Sequence, residues 1–336
     1  LTPSPSRAEL SVADATPLQR AVSVWNWIWF PPSTGIRLAV ARIVVVAFQL
    51  FIFFPSLREQ LRFLGPGRGF IEPQALIAAM MAVLPEGSFP TAASLTLLFW
   101  ITAAAGVLAL VGLATRAAAL VFALGNWILV THQYSYGEKH HPEALLCLFL
   151  LFLAFSPSGA RLSLDAWLRK RFGKPGALTA GPELTTALWP LKLMQVLLSL
   201  GYFSAGVCKL VFGGLAWMNG YTLQQHMFAD AVRSDLALGM WMARQHTFCI
   251  FLSVGIIAVE LFFFLTLFVP RLVPFLLLGG VLTHVGIYVT MGAPFFQFLV
   301  LYVAYCVPFL GRREPSADHS GNIGVRAGLG SLPASP

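Results

Sequence analysis

Lys209 stands where a lysine is costly. It lies near the end of an apolar run over 191–212, in the string Tyr202-Phe203-Ser204-Ala205-Gly206-Val207-Cys208-Lys209-Leu210. Ionisable groups at membrane depth are rare and face a bundle interior or a polar cavity. Desolvation lowers the pKa of an ammonium, so a buried lysine can act as a base near neutral pH. Other ionisable groups hold comparable positions. Glu260 is in the middle of one apolar run and His284 lies in another. His132 and the string Glu138-Lys139-His140-His141-Pro142-Glu143 bracket a turn between two more. A base, imidazoles and a protonatable carboxylate in a dry pocket are the groups that take a proton from a weak acid.

Each residue also has a plainer reading. Lys209 can snorkel from a helix end to the headgroups. His140 and His141 can belong to a wet loop. His284 can be an interhelical hydrogen-bond partner, and Glu260 a neutral group that locks packing. Arg37 and Arg42 can snorkel from the first span, although Arg42 is deep enough to need a partner. His140, His141, Glu138 and Glu143 have metal-ligand chemistry, but adjacent histidines point apart and no HExxH spacing exists, so no metal is expected. A Gly-rich phosphate loop and a GxSxG elbow are both missing, which removes nucleotide binding and hydrolase chemistry.

The elements that must position these groups are membrane spans. Hydrophobic residues make up 57% of the 336-residue chain and charged residues 11%, far less charge than a soluble chain carries. The pattern predicts an all-α, polytopic helical bundle with about eight spans, at 36–54, 91–113, 116–135, 142–156, 187–211, 246–269, 271–291 and 294–310. Residues 1–32 read as a polar N-terminal tail, 33–311 as the transmembrane domain and 312–336 as a disordered C-terminal tail. No cleavable signal is expected; the first apolar helix reads as an uncleaved anchor. The connection over 55–90 contains a candidate interfacial helix at 73–84, with Met80 and Met81 on its apolar side. The four cysteines, Cys147, Cys208, Cys249 and Cys306, read as small buried hydrophobes.

Charge sets the orientation. The linker over 156–183 carries Arg161, Arg169, Lys170, Arg171 and Lys174 against Asp165 and Glu183, and the positive-inside rule places it in the cytoplasm. Both termini, Arg116, Arg271, Arg312 and Arg313 then fall inside, and Lys209 and the 136–141 turn fall outside. The net charge of +8 fits basic cytoplasmic loops; no soluble basic and aromatic patch supports nucleic-acid binding.

The Lys209 string, followed by Trp217, Gly220 and Tyr221, resembles the signature of the vitamin K-dependent gamma-glutamyl carboxylases and of their bacterial relatives, the horizontally transferred transmembrane (HTTM) domain family. The resemblance covers roughly 30–310. It implies that Lys209 is the catalytic base and that His141 and His284 orient substrate or stabilise an oxyanion. It places Glu260, His140, Trp217, Tyr221 and Arg42 around the pocket. A reduced quinone, a vitamin K-like hydroquinone, is the implied cofactor. The implied setting is a bacterial cytoplasmic membrane with the site facing outward, and the implied activity is that of a carboxylase or epoxidase of carbon–carbon lyase type. The string departs from the carboxylases at Cys208, where they carry lysine, at His140, where they carry asparagine, and in a short insertion around Gly213-Gly214. Their large soluble region has no counterpart after the last span, so a secreted peptide or a soluble partner domain is a further expected partner beside the lipid bilayer. Two other functions stay open on the residues alone. The same cavity can bind, export or help mature a peptide or lipid without catalysis, or it can serve a proton-coupled transporter, although no inverted repeat is evident.

Overall fold

A computed structural model of the chain describes residues 16–30, 35–63, 72–137, 141–172 and 188–306. The expected tail over 312–336, the His140 position and most of the basic linker beyond Phe172 lie outside these residues. The described chain is helical, in elements α1 (Pro17–Trp29), α2 (Ile36–Phe48), α3 (Phe54–Phe63), α4 (Ala75–Val83), α5 (Ala92–Val111), α6 (Thr115–Tyr134), α7 (His141–Phe155), α8 (Leu164–Phe172), α9 (Trp189–Gly213), α10 (Tyr221–Arg233), α11 (Ala237–Ala243), α12 (His246–Phe262), α13 (Val273–Met291), α14 (Phe296–Leu301) and α15 (Val303–Cys306).

Among the described residues, five stretches are long and apolar enough to cross a membrane: Ile36–Arg58, Ala92–Val111, Trp189–Asn219, His246–Leu267 and Pro270–Met291. The other three expected spans differ for physical reasons. α6 has the length but carries Asn126 and His132, both buried in protein. α7 has only 15 residues, and Leu146, Phe149, Leu150 and Leu153 are covered by neighbours. The 294–310 run breaks at Tyr302 into two short helices, α14 and α15. Part of the expected N-terminal tail is also ordered as α1. Thr16 and Gln19 form a capping box and Pro17 occupies the first turn, while Leu18, Val22, Trp25 and Trp29 recur at helical spacing. The polar, Pro- and Ser-rich residues before Pro17 give the expected tail its polar character and mask this period. The expected interfacial helix forms as α4, but its buried residue is Ile77, and Met81 is exposed.

The main core lies among α2, α3, α5, α6, α7 and α9. Phe54 stacks on Phe99 at 4.5 Å, and Gly106 opens the space that Phe122 fills, since a Cβ there would meet its ring at 2.6 Å. Helix α2 runs through a π-helical segment, Gln49–Phe53, into α3. Within it the buried Gln49 amide donates to Asn126 Oδ1 at 2.5 Å, and Asn126 donates to the Phe122 carbonyl at 2.7 Å. In apolar surroundings such paired amides fix register, because an unpaired one is expensive.

Side-chain contacts define the two ends of the bundle. At one end Arg42, fully buried, donates to the carbonyls of Ser158 at 2.8 Å and Leu162 at 2.5 Å. Beside it, Asp165 caps α6 across the chain, accepting from Ala114 N (2.9 Å), Thr115 N (2.8 Å) and Thr115 Oγ1 (2.7 Å). Helices α7 and α9 run antiparallel: Trp189 packs near Phe152, and Gly201 sits beside Leu145. Lys209 therefore belongs to the opposite end, with the 135–137 turn and the first turn of α7.

Partial burial pushes the Asp165 carboxyl up, but the Thr115 and Ala114 hydrogen bonds and the nearby Arg169 guanidinium outweigh it and hold the group below its ordinary value. The capping contribution is thus complete above the unfolded-state carboxylate pKa and fades as pH falls through the lower folded value. Asp165→Ala is expected to destabilise the protein by about 1 kcal/mol near neutral pH. Thermal unfolding in detergent should show the two midpoints converging on acidification; a gap that widens in acid would rule out the charged cap.

Candidate functional site

One face of α9 presents Gln195, Ser199, Tyr202, Gly206 and Lys209, spaced in a near-heptad so that they share a stripe. Every polar side chain on that stripe meets a partner. Gln195 donates to the Ala304 carbonyl at 2.7 Å. Ser199 lies 3.1 Å from Tyr305 Oη and 3.3 Å from Thr266 Oγ1, which is itself 2.9 Å from Tyr305 Oη. Tyr202 Oη bonds His284 Nε2 at 2.6 Å and also contacts Tyr302 Oη. Lys209 Nζ lies 2.5 Å from Glu260 Oε1 and 2.7 Å from Oε2, a fork in which one ammonium meets both carboxylate oxygens.

The ion pair exists because α9 and α12 cross closely at Gly206. A Cβ at that position would stand 3.0–3.1 Å from the side chains of Leu261 and Glu260. Trp217, in the 3₁₀ segment Gly214–Asn219, completes this end of the site. Its ring centroid is 5.3 Å from Lys209 Nζ, within cation–π range. Gly213 makes this fold-back fit, because a Cβ there would meet Trp217 Cδ1 at 2.3 Å. The Lys209 side chain keeps 23% exposure and Glu260 12%, so the pair is sheltered while the ammonium can still be reached.

Deeper in the bundle, the His284 ring is stacked on Phe298 at 4.5 Å and 9° and is held by Tyr202, which itself stacks on Phe263 at 4.2 Å. His284 and Tyr202 lie one to two turns below the ion pair along α9.

The sequence-predicted residues thus divide. Lys209, Glu260 and Trp217 come together, and His284 joins the same α9 stripe through Tyr202. Tyr221 does not face Lys209; it stacks on His246 at 4.2 Å. Arg42 is at the far end of the bundle, tied to backbone carbonyls, and does not line the Lys209 pocket. Its depth was readable, but carbonyl partners leave no mark in a sequence. His141 is described only as the first residue of α7, and His140 falls outside the described residues. His132 is buried near Tyr136, with ring centroids 5.5 Å apart. Of the cysteines, Cys147 and Cys249 are buried as expected, but Cys208 is exposed, on the outward stripe with Leu200, Ser204 and Val211. Cys306 closes α15 at the edge of the described chain. The sequence reading missed Tyr202, Tyr302 and Tyr305 as functional candidates. The polar stripe of α9 was the available signal, because aromatic residues at helical spacing otherwise read as core.

A family model described as the HTTM domain matches residues 30–307. No curated protein and no solved structure shows significant similarity to the chain.

Removing one member of a sheltered ion pair strands the other charge, whereas removing both relieves it. Lys209→Met and Glu260→Met are each expected to lower stability, by on the order of 2 kcal/mol given the partial exposure, and the double variant should recover most of that loss. Thermal or denaturant unfolding of the four proteins in one detergent measures the coupling. Additive single losses would mean that the pair contributes no interaction.

Proposed function

Because the chain belongs to the HTTM family, we propose that it is an integral membrane protein whose Lys209–Glu260 pair acts as a base toward a weak acid dissolved in the bilayer, a reduced quinone-like molecule being the best candidate. The observation that carries this reading is the two-oxygen contact between Lys209 Nζ and Glu260, at a position still open to a ligand. In apolar surroundings a charged ammonium–carboxylate pair and its neutral amine–carboxylic acid form lie closer in energy than in water. The amine form takes a proton from a substrate O–H or C–H, leaving an anion. That leaves an ammonium beside the carboxylic acid, which gives its proton to water at the exposed edge of the site and so restores the ammonium–carboxylate pair.

The residues fit a flat, lipid-soluble substrate. Trp217 offers an aromatic wall beside the ammonium. His284, fixed in orientation by Tyr202 and Phe298, supplies a placed polar group deeper along the same stripe. In this reading His141 keeps the substrate-orienting role implied by the family resemblance. The basic residues of α8, Arg169, Lys170 and Arg171, belong to the end opposite Lys209, which supports an outward-facing site in a bacterial cytoplasmic membrane.

The test is hydroquinone-dependent oxygen uptake by the purified protein in lipid. Lys209→Ala is expected to abolish turnover, and Glu260→Gln to slow it by roughly 10²-fold, within the range for loss of a positioned proton acceptor. Full activity in Lys209→Ala, or no uptake by the wild type with any quinone tried, overturns the base assignment. The pair would then serve recognition in a binding or peptide-maturation protein.

A further inference from the structure

The α12–α13 interface is closed at one end and open at the other. Near its closed end Val259 packs so tightly on α13 that a Cβ at Gly279 would stand 2.7 Å from it. Toward α10 and α11 the two helices part, and a cavity of about 270 Å³ opens between them. Met227 of α10, Met242 of α11, Ile256 of α12 and Thr283 and Ile287 of α13 are among its walls. Gly255 and Gly286 both border it, and a Cβ added at either would meet nothing within 4 Å. The wall hydroxyls are already used: Thr283 donates to the Gly279 carbonyl at 2.9 Å and Thr290 to the Gly286 carbonyl at 2.7 Å. The cavity offers hydrocarbon contact and flexible methionines, with no free hydroxyl donor for a polar ligand.

The open end is different in kind. Met242 and Phe251 are shared with a second hollow that also contains Trp241, Gln245 and His246, where α12 begins. A neighbouring hollow is lined by Arg244, Gln224, Gln225 and Tyr221, and among the described residues no acidic side chain lines either one. His246 is held in place. Gln224 Nε2 donates to the Ala243 carbonyl at 2.6 Å, so its Oε1 is the acceptor facing His246 Nδ1 at 2.9 Å. Nδ1 therefore carries the proton, and Nε2 is the acceptor left to meet a hydroxyl donor of a ligand. Exposed Trp241 and the Tyr221–His246 stack have the amphipathic character of residues at a membrane–water boundary. An apolar slot roughly 20 Å long from His246 to Val259, by helical rise, thus ends at an interfacial cluster of one cation, one imidazole and amides.

We propose that this slot binds one acyl chain of an anionic phospholipid, with its phosphate at Arg244 and Gln245 and a headgroup hydroxyl donating to His246. Slot and mouth match the two halves of such a molecule, and the lipid reaches the slot sideways past Phe251 and Leu282, both exposed. The site uses the face of α12 that carries Val259 and Gly255, not the Glu260 face turned to Lys209, so it stands apart from the proposed base chemistry.

Native mass spectrometry of the full chain, extracted from vesicles of equal phosphatidylglycerol and phosphatidylcholine, tests the proposal. The wild type is expected to keep phosphatidylglycerol in preference to phosphatidylcholine. Gly286→Leu and Gly255→Leu, made separately, should each reduce retained lipid of both kinds by about tenfold while the unfolding midpoint holds, because the Cβ of each replacement meets nothing within 4 Å. Arg244→Gln should keep the lipid and lose the headgroup preference. Unchanged retention in both leucine variants overturns the slot as the seat of the chain. Equal retention of the two lipids by the wild type overturns the phosphate assignment.

Discussion

An ammonium and a carboxylate 2.5 Å apart in largely apolar surroundings are the constraint around which this bundle is arranged. Neither group is tolerable there alone. Their meeting requires that α9 and α12 approach at one level, and Gly206 is the residue that permits it. Once that crossing is set, the antiparallel run of the two helices brings Ser199 to Thr266 and Phe203 to Phe264, and carries Gly220 against Ile250. The stripe of partnered side chains along α9 therefore follows from one register, fixed at its most polar point.

The two ends of the bundle solve the same problem in different ways. At the Lys209 end a charge meets a charge, and an aromatic ring shields it. At the Arg42 end the guanidinium meets backbone carbonyls of the 156–163 loop, and a neighbouring carboxylate is used to finish a helix instead. An arginine held by carbonyls stays protonated and structural. A lysine held by a carboxylate and still partly exposed can be reached by a ligand, which is why the proposed chemistry is assigned to that end.

Much of the site was legible because charge is conspicuous in apolar sequence. Lys209, Glu260 and His284 stand out for that reason alone, and the Trp217 position followed from the resemblance around the lysine. What was not legible depended on helix register or on atoms that every residue shares. The Lys209–Glu260 pairing needs the α9–α12 crossing, and the partners of Arg42 are carbonyls. Tyr221 matched a motif but turned toward His246, whose role no spacing announced. The span count was sound for the five long apolar helices. It was less so where polar groups inside α6, or the break at Tyr302, interrupt the hydropathy on which counting relies. α1 was hidden because the polar, Pro- and Ser-rich residues before it set the character of the expected tail, although α1 itself is largely apolar.

The shortness of α7 has a consequence for biogenesis. Fifteen residues are too few to span hydrocarbon comfortably, and the adjoining α6 brings Asn126 and His132 with it. Neither segment is a good substrate for independent release into lipid from the insertion machinery. α6 is covered chiefly by α5, which is made earlier, and by α7, while α7 is also covered by α2 and by α9, which is made later. In this packing α7 is the segment whose cover is finished only once α9, the helix that carries Lys209, has been made.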